Sequence, residues 1–429
     1  MMPPVVPRRL RAGPIACALA ALALTFGSGL VAAQPTAAPA SDAAAKTLRP
    51  EVANPVNAAQ EAARAGQKEQ AEAKLREAAG VPNLSMFEQA VIERGRGSVS
   101  LSTRDWTQAI RSLEVVVASN QFGGTDQLQM VELLAKLTYQ EKDYLRAVSW
   151  LRRYQQEGGN DAALRDLLPQ ALYLANEHKA AADELETRIA ADESGGRTPS
   201  EQTLRLLISS YVQAKDDAGY LRALERMAMS YPKPEYWSEL LSRATKQPGF
   251  SDRLWLDVYR LRFAANLMRS TDEYVEMAQL ALNAGYPGEA LKVIDRGLSL
   301  SLLGNGKDAP NHAALRERAS KALEKDNADL ARAETAARGA REGDALVNVG
   351  FAHVTAGTPA KGVPLMEQGL AKGNLRRADE ARLHLGMALW QAGRKDDAVK
   401  ALADVKGSDG AAALARVWSV FVRSPAGKV

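Results

Sequence analysis

The sequence predicts an all-α array of about ten short antiparallel helix pairs, and three observations carry that expectation. At 429 residues the chain exceeds what one hydrophobic core ordinarily organises, so it requires several domains or an elongated array. Ala, Leu, Arg, Glu and Gln dominate and aromatics make up only 6%, a composition of helix formers rather than of sheets. One pattern of small and apolar residues then recurs at intervals of 33 to 39 residues.

Residues 1–33 read as a secretory signal peptide. Arg8, Arg9 and Arg11 form a basic start, Ile15 to Phe26 an apolar middle, and Val31-Ala32-Ala33 a small-residue cleavage site before Gln34. The alternative is a membrane anchor through an uncleaved N-terminal helix, since the apolar stretch with its flanks approaches the length that spans a bilayer. Gly27, Ser28 and Gly29 break that stretch. Cys17, the single cysteine, stands too close to Arg11 to follow a full signal core, which disfavours a lipidated cysteine. Cleavage after Ala33 leaves a chain without disulfides, thiol nucleophile or cysteine ligands, expected in the periplasm without stable membrane insertion. It also removes three arginines, so a formal charge of +4 becomes +1, and no nucleic-acid partner is expected.

Residues 34–50 form an Ala- and Pro-rich flexible linker, followed by helical repeats over 51–423 and a short tail, 424–429. The clearest repeat begins at Glu380. Leu383, Gly386 and Leu389 fall on one face of a first helix and Gly393 ends it; Asp396 caps a second helix with Ala398, Leu402 and Val405 inward. Gly386 and Ala398 lack bulk where the helices approach. Such a pair cannot bury its own apolar face and must stack on neighbours.

Traced backwards, the equivalent first-helix residues are Gly350, Ala314, Ala278, Leu241, Ile208, Pro169, Ala135, Gly97 and Ala59. The copies around Ala314, Leu241 and Pro169 keep helical periodicity without the signature residues. Pro359 and Pro364 are expected to disturb the first turn of one second helix. Residues 315–341 fit either a repeat or one continuous helix, and residues 410–423 form an amphipathic helix that caps the last apolar face.

Leu385-Gly386, Leu389, Gly393 and Ala398 resemble, in order, the signature of the tetratricopeptide repeat. Arg382 stands where that family often carries Trp. The resemblance implies a right-handed superhelical solenoid with neighbour-only contacts and a concave groove lined by the first helices. In that family the groove takes peptides or extended segments of protein partners. Projected onto this chain, the partner-binding groove carries Arg94, Glu132, Lys136, Tyr139, Gln140, Asp166, Gln170, Tyr173, Arg205 and Gln213. The mixture of charges, amides and tyrosines suits adaptable polar recognition with aromatic anchors.

Chemistry leaves few traces. Gly306-Lys307 lacks the upstream glycine and the hydroxyl of a phosphate loop, and no Gly-x-Ser-x-Gly elbow is present. Ser230 and Lys233 have catalytic spacing, but Pro232 and Pro234 interrupt the helix that would align them. His178, His312, His353 and His384 show no i, i+4 metal pairing, although His353 and His384 fall in adjacent repeats. No catalytic residue, metal or cofactor is therefore expected. The expected function is a periplasmic protein-interaction scaffold, accessory to an envelope assembly, secretion or uptake complex. The alternatives are a polymer-binding component of exopolysaccharide export, which needs aligned groove aromatics, and a helical-repeat glycan-processing enzyme, which needs two facing carboxylates.

Overall fold

The computed structural model describes residues 46–428; the expected signal peptide, linker residues 34–45 and Val429 lie outside the described residues. Regular structure within them is entirely helical, comprising twenty α-helices and three short 3-10 turns, two of which lead directly into a helix. The chain divides into two compact units, one reaching Gly195 and including Ser209–Asp216, the other comprising Gly196–Ile208 and everything from Asp217 onward.

The first unit is built from consecutive hairpins: α1 (Pro50–Arg64) with α2 (Lys68–Ala79), α3 (Met86–Ser102) with α4 (Trp106–Ala118), α5 (Gly124–Gln140) with α6 (Tyr144–Gln156), and α7 (Ala162–Leu174) with α8 (His178–Ser194). Local chemistry sets their starts. Asp105, Asp143 and Asp161 accept backbone N–H bonds at the starts of α4, α6 and α7. Ser85 and Glu88 form a reciprocal capping box on α3. Glu88 is only 2% exposed and also takes the Arg49 guanidinium at 2.7 and 2.9 Å. Hydrogen bonds from Arg49 and Ser85 hold its carboxyl down at about 2. The last linker residues are thus docked on the second hairpin.

Each hairpin buries a pair of small or compact residues twelve positions apart: Ala59 and Ala71, Gly97 and Ala109, Ala135 and Ala147, Pro169 and Ala181. All eight are buried. The turn between the paired helices places one residue in the left-handed region, in succession Gly66, Arg104, Lys142 and Asn176. An N–H immediately after it closes each helix end, as from Asp105 to the Ser100 carbonyl at 2.8 Å.

Helix α9 (Glu201–Ala214) contributes to both units along the sequence. The second unit continues with α10 (Asp217–Ser230), α11 (Pro234–Thr245), α12 (Trp255–Ala264), α13 (Thr271–Asn283), α14 (Pro287–Ser299) and α15 (Ala309–Gly339). It ends with α16 (Asp344–Thr355), α17 (Pro359–Lys372), α18 (Ala378–Gln391), α19 (Lys395–Ala403) and α20 (Ala411–Arg423). The same spacing of buried small residues recurs as Ala278 and Ala290, Gly350 and Gly362, and Gly386 and Ala398.

The hairpin of α16 and α17 packs backbone against backbone. A Cβ on Gly350 would lie 2.7 Å from the Gly362 carbonyl, and one on Gly343 would lie 2.0 Å from that of Gly369. Glycine at all four positions allows this approach. Pro359 does not disturb α17: it takes the first helical position, where no N–H is needed, and the helix runs through Pro364 to Lys372.

Several expectations are corrected. Ala314 is exposed and belongs to no repeat crossing, because α15 is one helix of 31 residues. No break interrupts its run of Ala, Glu, Lys, Arg and Leu between Ala313 and Arg338. Helices α11 and α12 do not form a tight hairpin: α11 packs on α10 and α20, and α12 on α13. Contacts in this unit are not confined to neighbours, since α20 packs on α10, α11, α18 and α19. Helix α20 is therefore more than a terminal cap. The tail after it is docked, with the Trp390 indole donating to the Gly427 carbonyl at 2.9 Å.

Candidate functional site

In the first unit the expected groove residues occupy the first helices. Arg94 on α3 donates to Asp126 at the start of α5 at 3.0 Å and lies over the Phe122 ring, 4.9 Å from its centroid. Glu132 and Lys136 pair with each other one turn apart on α5. On α7, Asp166 pairs with Arg188, and Gln170 donates to the Asp166 carbonyl at 3.2 Å. Gln140 and Gln213 are exposed.

The two tyrosines sit differently from free anchors. Tyr139 is half-buried against the hydrophobic core and meets Tyr144 edge-on at 5.4 Å; burial raises its hydroxyl pKa. Tyr173 is likewise half-buried on that core, 5.1 Å from the His178 ring. Both rings contribute to packing and show only part of their surface.

Arg205 lies in the second unit, in a network with Glu201, Lys233 and Tyr236. Glu201 accepts from all three, and those bonds hold its carboxyl down at about 2. Lys233 is thereby committed to a carboxylate, away from Ser230, where α10 ends. The structure thus brings the groove residues into small ion-pair groups on successive helices.

A buried charge cluster in the second unit carries no recognisable motif in the sequence. Arg260 of α12 donates to Asp257 at 2.6 Å and to both oxygens of Glu289 at 2.8 and 2.7 Å. His384 of α18 meets Asp257 at 2.9 Å through Nε2 and stacks on Phe351 at 4.4 Å. The guanidinium lies 4.7 Å from the Phe351 centroid and 5.1 Å from that of Tyr286. Burial alone would raise Asp257, but His384 and Arg260 outweigh it and hold the carboxyl at about 2. Burial pushes the Tyr286 hydroxyl up to about 12. The cluster ties α12 to α14 and α18, with partners up to 127 residues apart. His353 is not part of it; its Nε2 lies 3.7 Å from Glu334 on α15. The available sequence signal was Asp257 and Arg260 one turn apart in a helix where, besides Arg262, the other residues are apolar or aromatic.

The buried small residues twelve positions apart and the left-handed turn, present in both units, match the helix-hairpin repeat read from the sequence. The fold is tetratricopeptide-like. No family model and no curated protein matches the chain. Solved structures that it is similar to include Naa15/Naa10 bound to HypK-THB, at 14% identity and TM-score 0.30 over 82% of this chain and 62% of that one. Yeast Tom70 aligns at 12% identity and TM-score 0.24 over 86% of this chain and 95% of its own. The maize pentatricopeptide repeat protein PPR10 aligns at 13% and 0.28, over 85% and 61%. The chain thus spans less than two thirds of the first of these.

Proposed function

We propose that this protein is an exported scaffold that binds a protein or peptide partner along the first-helix face of its first unit. The carrying observation is a set of partly exposed ion pairs anchored on first helices: Arg94 of α3 with Asp126 of α5, Lys136 with Glu132 on α5, and Asp166 of α7 with Arg188 of the paired α8. Such pairs contribute only about 0–1 kcal/mol each, so a partner's charges can replace either member at little cost. The half-buried rings of Tyr139 and Tyr173 add apolar edges beside them, and Gln140 adds an exposed amide.

Residues 1–33 support export to the periplasm, and a scaffold there would serve an envelope assembly, secretion or uptake complex. Intact-mass analysis of the exported protein tests the location: it should begin at Gln34, and a retained N-terminus would refute cleavage. Photo-crosslinking tests the binding face. A photoreactive residue at Gln140 or Gln213 should give one shared adduct in cells, and one at Ser149, exposed on α6, should not. Equal labelling from all three positions would refute a groove.

A further inference from the structure

The second unit contains a helix packed where a ligand could sit. Helix α20 touches α10 and α11 on one side and α18 and α19 on the other, joining segments almost two hundred residues apart. Leu414, Val417, Trp418, Val420 and Phe421 are all buried beneath it. Trp418 and Phe421, one turn apart, meet Trp237 of α11 and Trp390 of α18 in an aromatic cluster with centroid separations of 5.4–5.7 Å.

Three features mark this docking as replaceable. The indole N–H groups of Trp237 and Trp418 are buried without a hydrogen-bond acceptor, which penalises the docked arrangement. The rim is fastened by an exposed pair, Arg416 donating to Glu225 at 2.9 Å, a contact that salt weakens. The connection from α19 contains Gly407 and the left-handed Gly410, beside the Ser251 N–H bond to the Asp409 carbonyl at 2.9 Å. Two glycines allow the backbone change a hinge needs.

We propose that α20 is a strap acting as an intramolecular ligand, occupying a helix-binding site of α10, α11 and α18 that an amphipathic partner helix can take. The favoured competitor carries two aromatics one turn apart and a side-chain acceptor able to satisfy the indole N–H groups. The inference deepens the scaffold reading by adding a second site, separate from the first-helix face of the first unit.

The test uses the full chain with Cys17→Ser, Glu225→Cys and Arg416→Cys, whose two thiols are joined by a reducible bis-methanethiosulfonate crosslinker that spans the gap left by the two long side chains and fastens the strap, the crosslink being verified by mass. The probe is a fluorescent synthetic peptide of residues 407–428, followed by anisotropy. The uncrosslinked protein should bind it, and crosslinking should lower the affinity at least tenfold, with recovery on reduction. Equal binding in both states, or none in either, would overturn the proposal. Arg416→Glu, which places a carboxylate against Glu225 and needs no crosslink, should raise peptide affinity, and adding Glu225→Arg should reverse the gain. An unchanged affinity in Arg416→Glu would also overturn it. Crosslinking from Gln140 and Gln213 in the locked protein distinguishes the two ideas. It should persist whether or not the strap moves, and its absence would contradict the scaffold reading alone.

Discussion

The first unit is held together by contacts between helices close in sequence, whereas the second is tied across its whole length. In the first, apolar clusters link each hairpin to the next, and polar links such as Arg94 to Asp126 and Arg146 to Glu114 span a single repeat. In the second, His384 reaches Asp257, Arg253 reaches Glu380 at 2.9 Å and Arg416 reaches Glu225, over 127 to 191 positions. The same helix-pair motif therefore supports two kinds of cooperativity. A neighbour-only array loses stability locally, and a cross-tied one loses it throughout.

The largest expected effect tests the cross-tie. Arg260→Met leaves Asp257 and Glu289 buried without their shared cation and should cost about 3–5 kcal/mol. Protection from hydrogen exchange should fall together in α12, α14 and α18 and stay unchanged in α1 to α4. A loss confined to α12 would break the contrast. Next in size, Leu134→Ala in the first unit should cost about 2–5 kcal/mol, because Leu134 is fully buried in its core cluster. Its effect should concentrate in the hairpins adjoining α5, and a uniform loss across the first unit would show that it too unfolds as one block.

The smallest effect is acid sensitivity at the start of the first unit. Glu88 is lowered to about 2 from an ordinary value of 4.5, so its stabilising contribution is complete above about pH 4.5 and is lost as pH falls towards 2. Thermal unfolding followed by exchange in α1 and α3 should show this loss, and Glu88→Gln should remove the pH dependence while lowering stability at neutral pH. A pH profile unchanged by Glu88→Gln would place the acid sensitivity elsewhere.

Much of the array was legible because the crossing residues are small and regularly spaced. Ala59, Ala135, Ala278 and Gly386 mark first helices in sequence and are buried in the structure. Turn glycines were a less complete signal. Arg104, Lys142 and Asn176 adopt the left-handed conformation that Gly66 and Gly393 adopt, at a steric cost of about 1–2 kcal/mol each, and so the motif is hidden wherever glycine is absent. Leu385, which the family signature places in the interhelical core, is half-exposed, while Leu383 and Met387 are buried; the signature gives the helix but not its exact rotation. The closure of the second unit was not legible, because it depends on side chains more than a hundred residues apart and no local periodicity encodes that pairing. For the candidate groove, sequence geometry placed the polar residues on first helices. It did not show that Tyr139 and Tyr173 would be drawn down onto the core by Tyr144 and His178.

Native-state hydrogen exchange across increasing denaturant tests the central contrast most directly. The slowest amides of α10 to α19 should converge on a single opening free energy, while those of α1 to α8 should give a graded series, lowest at the ends of the array. Graded openings in the second unit, with α18 exchanging independently of α10 and α12, would contradict the account.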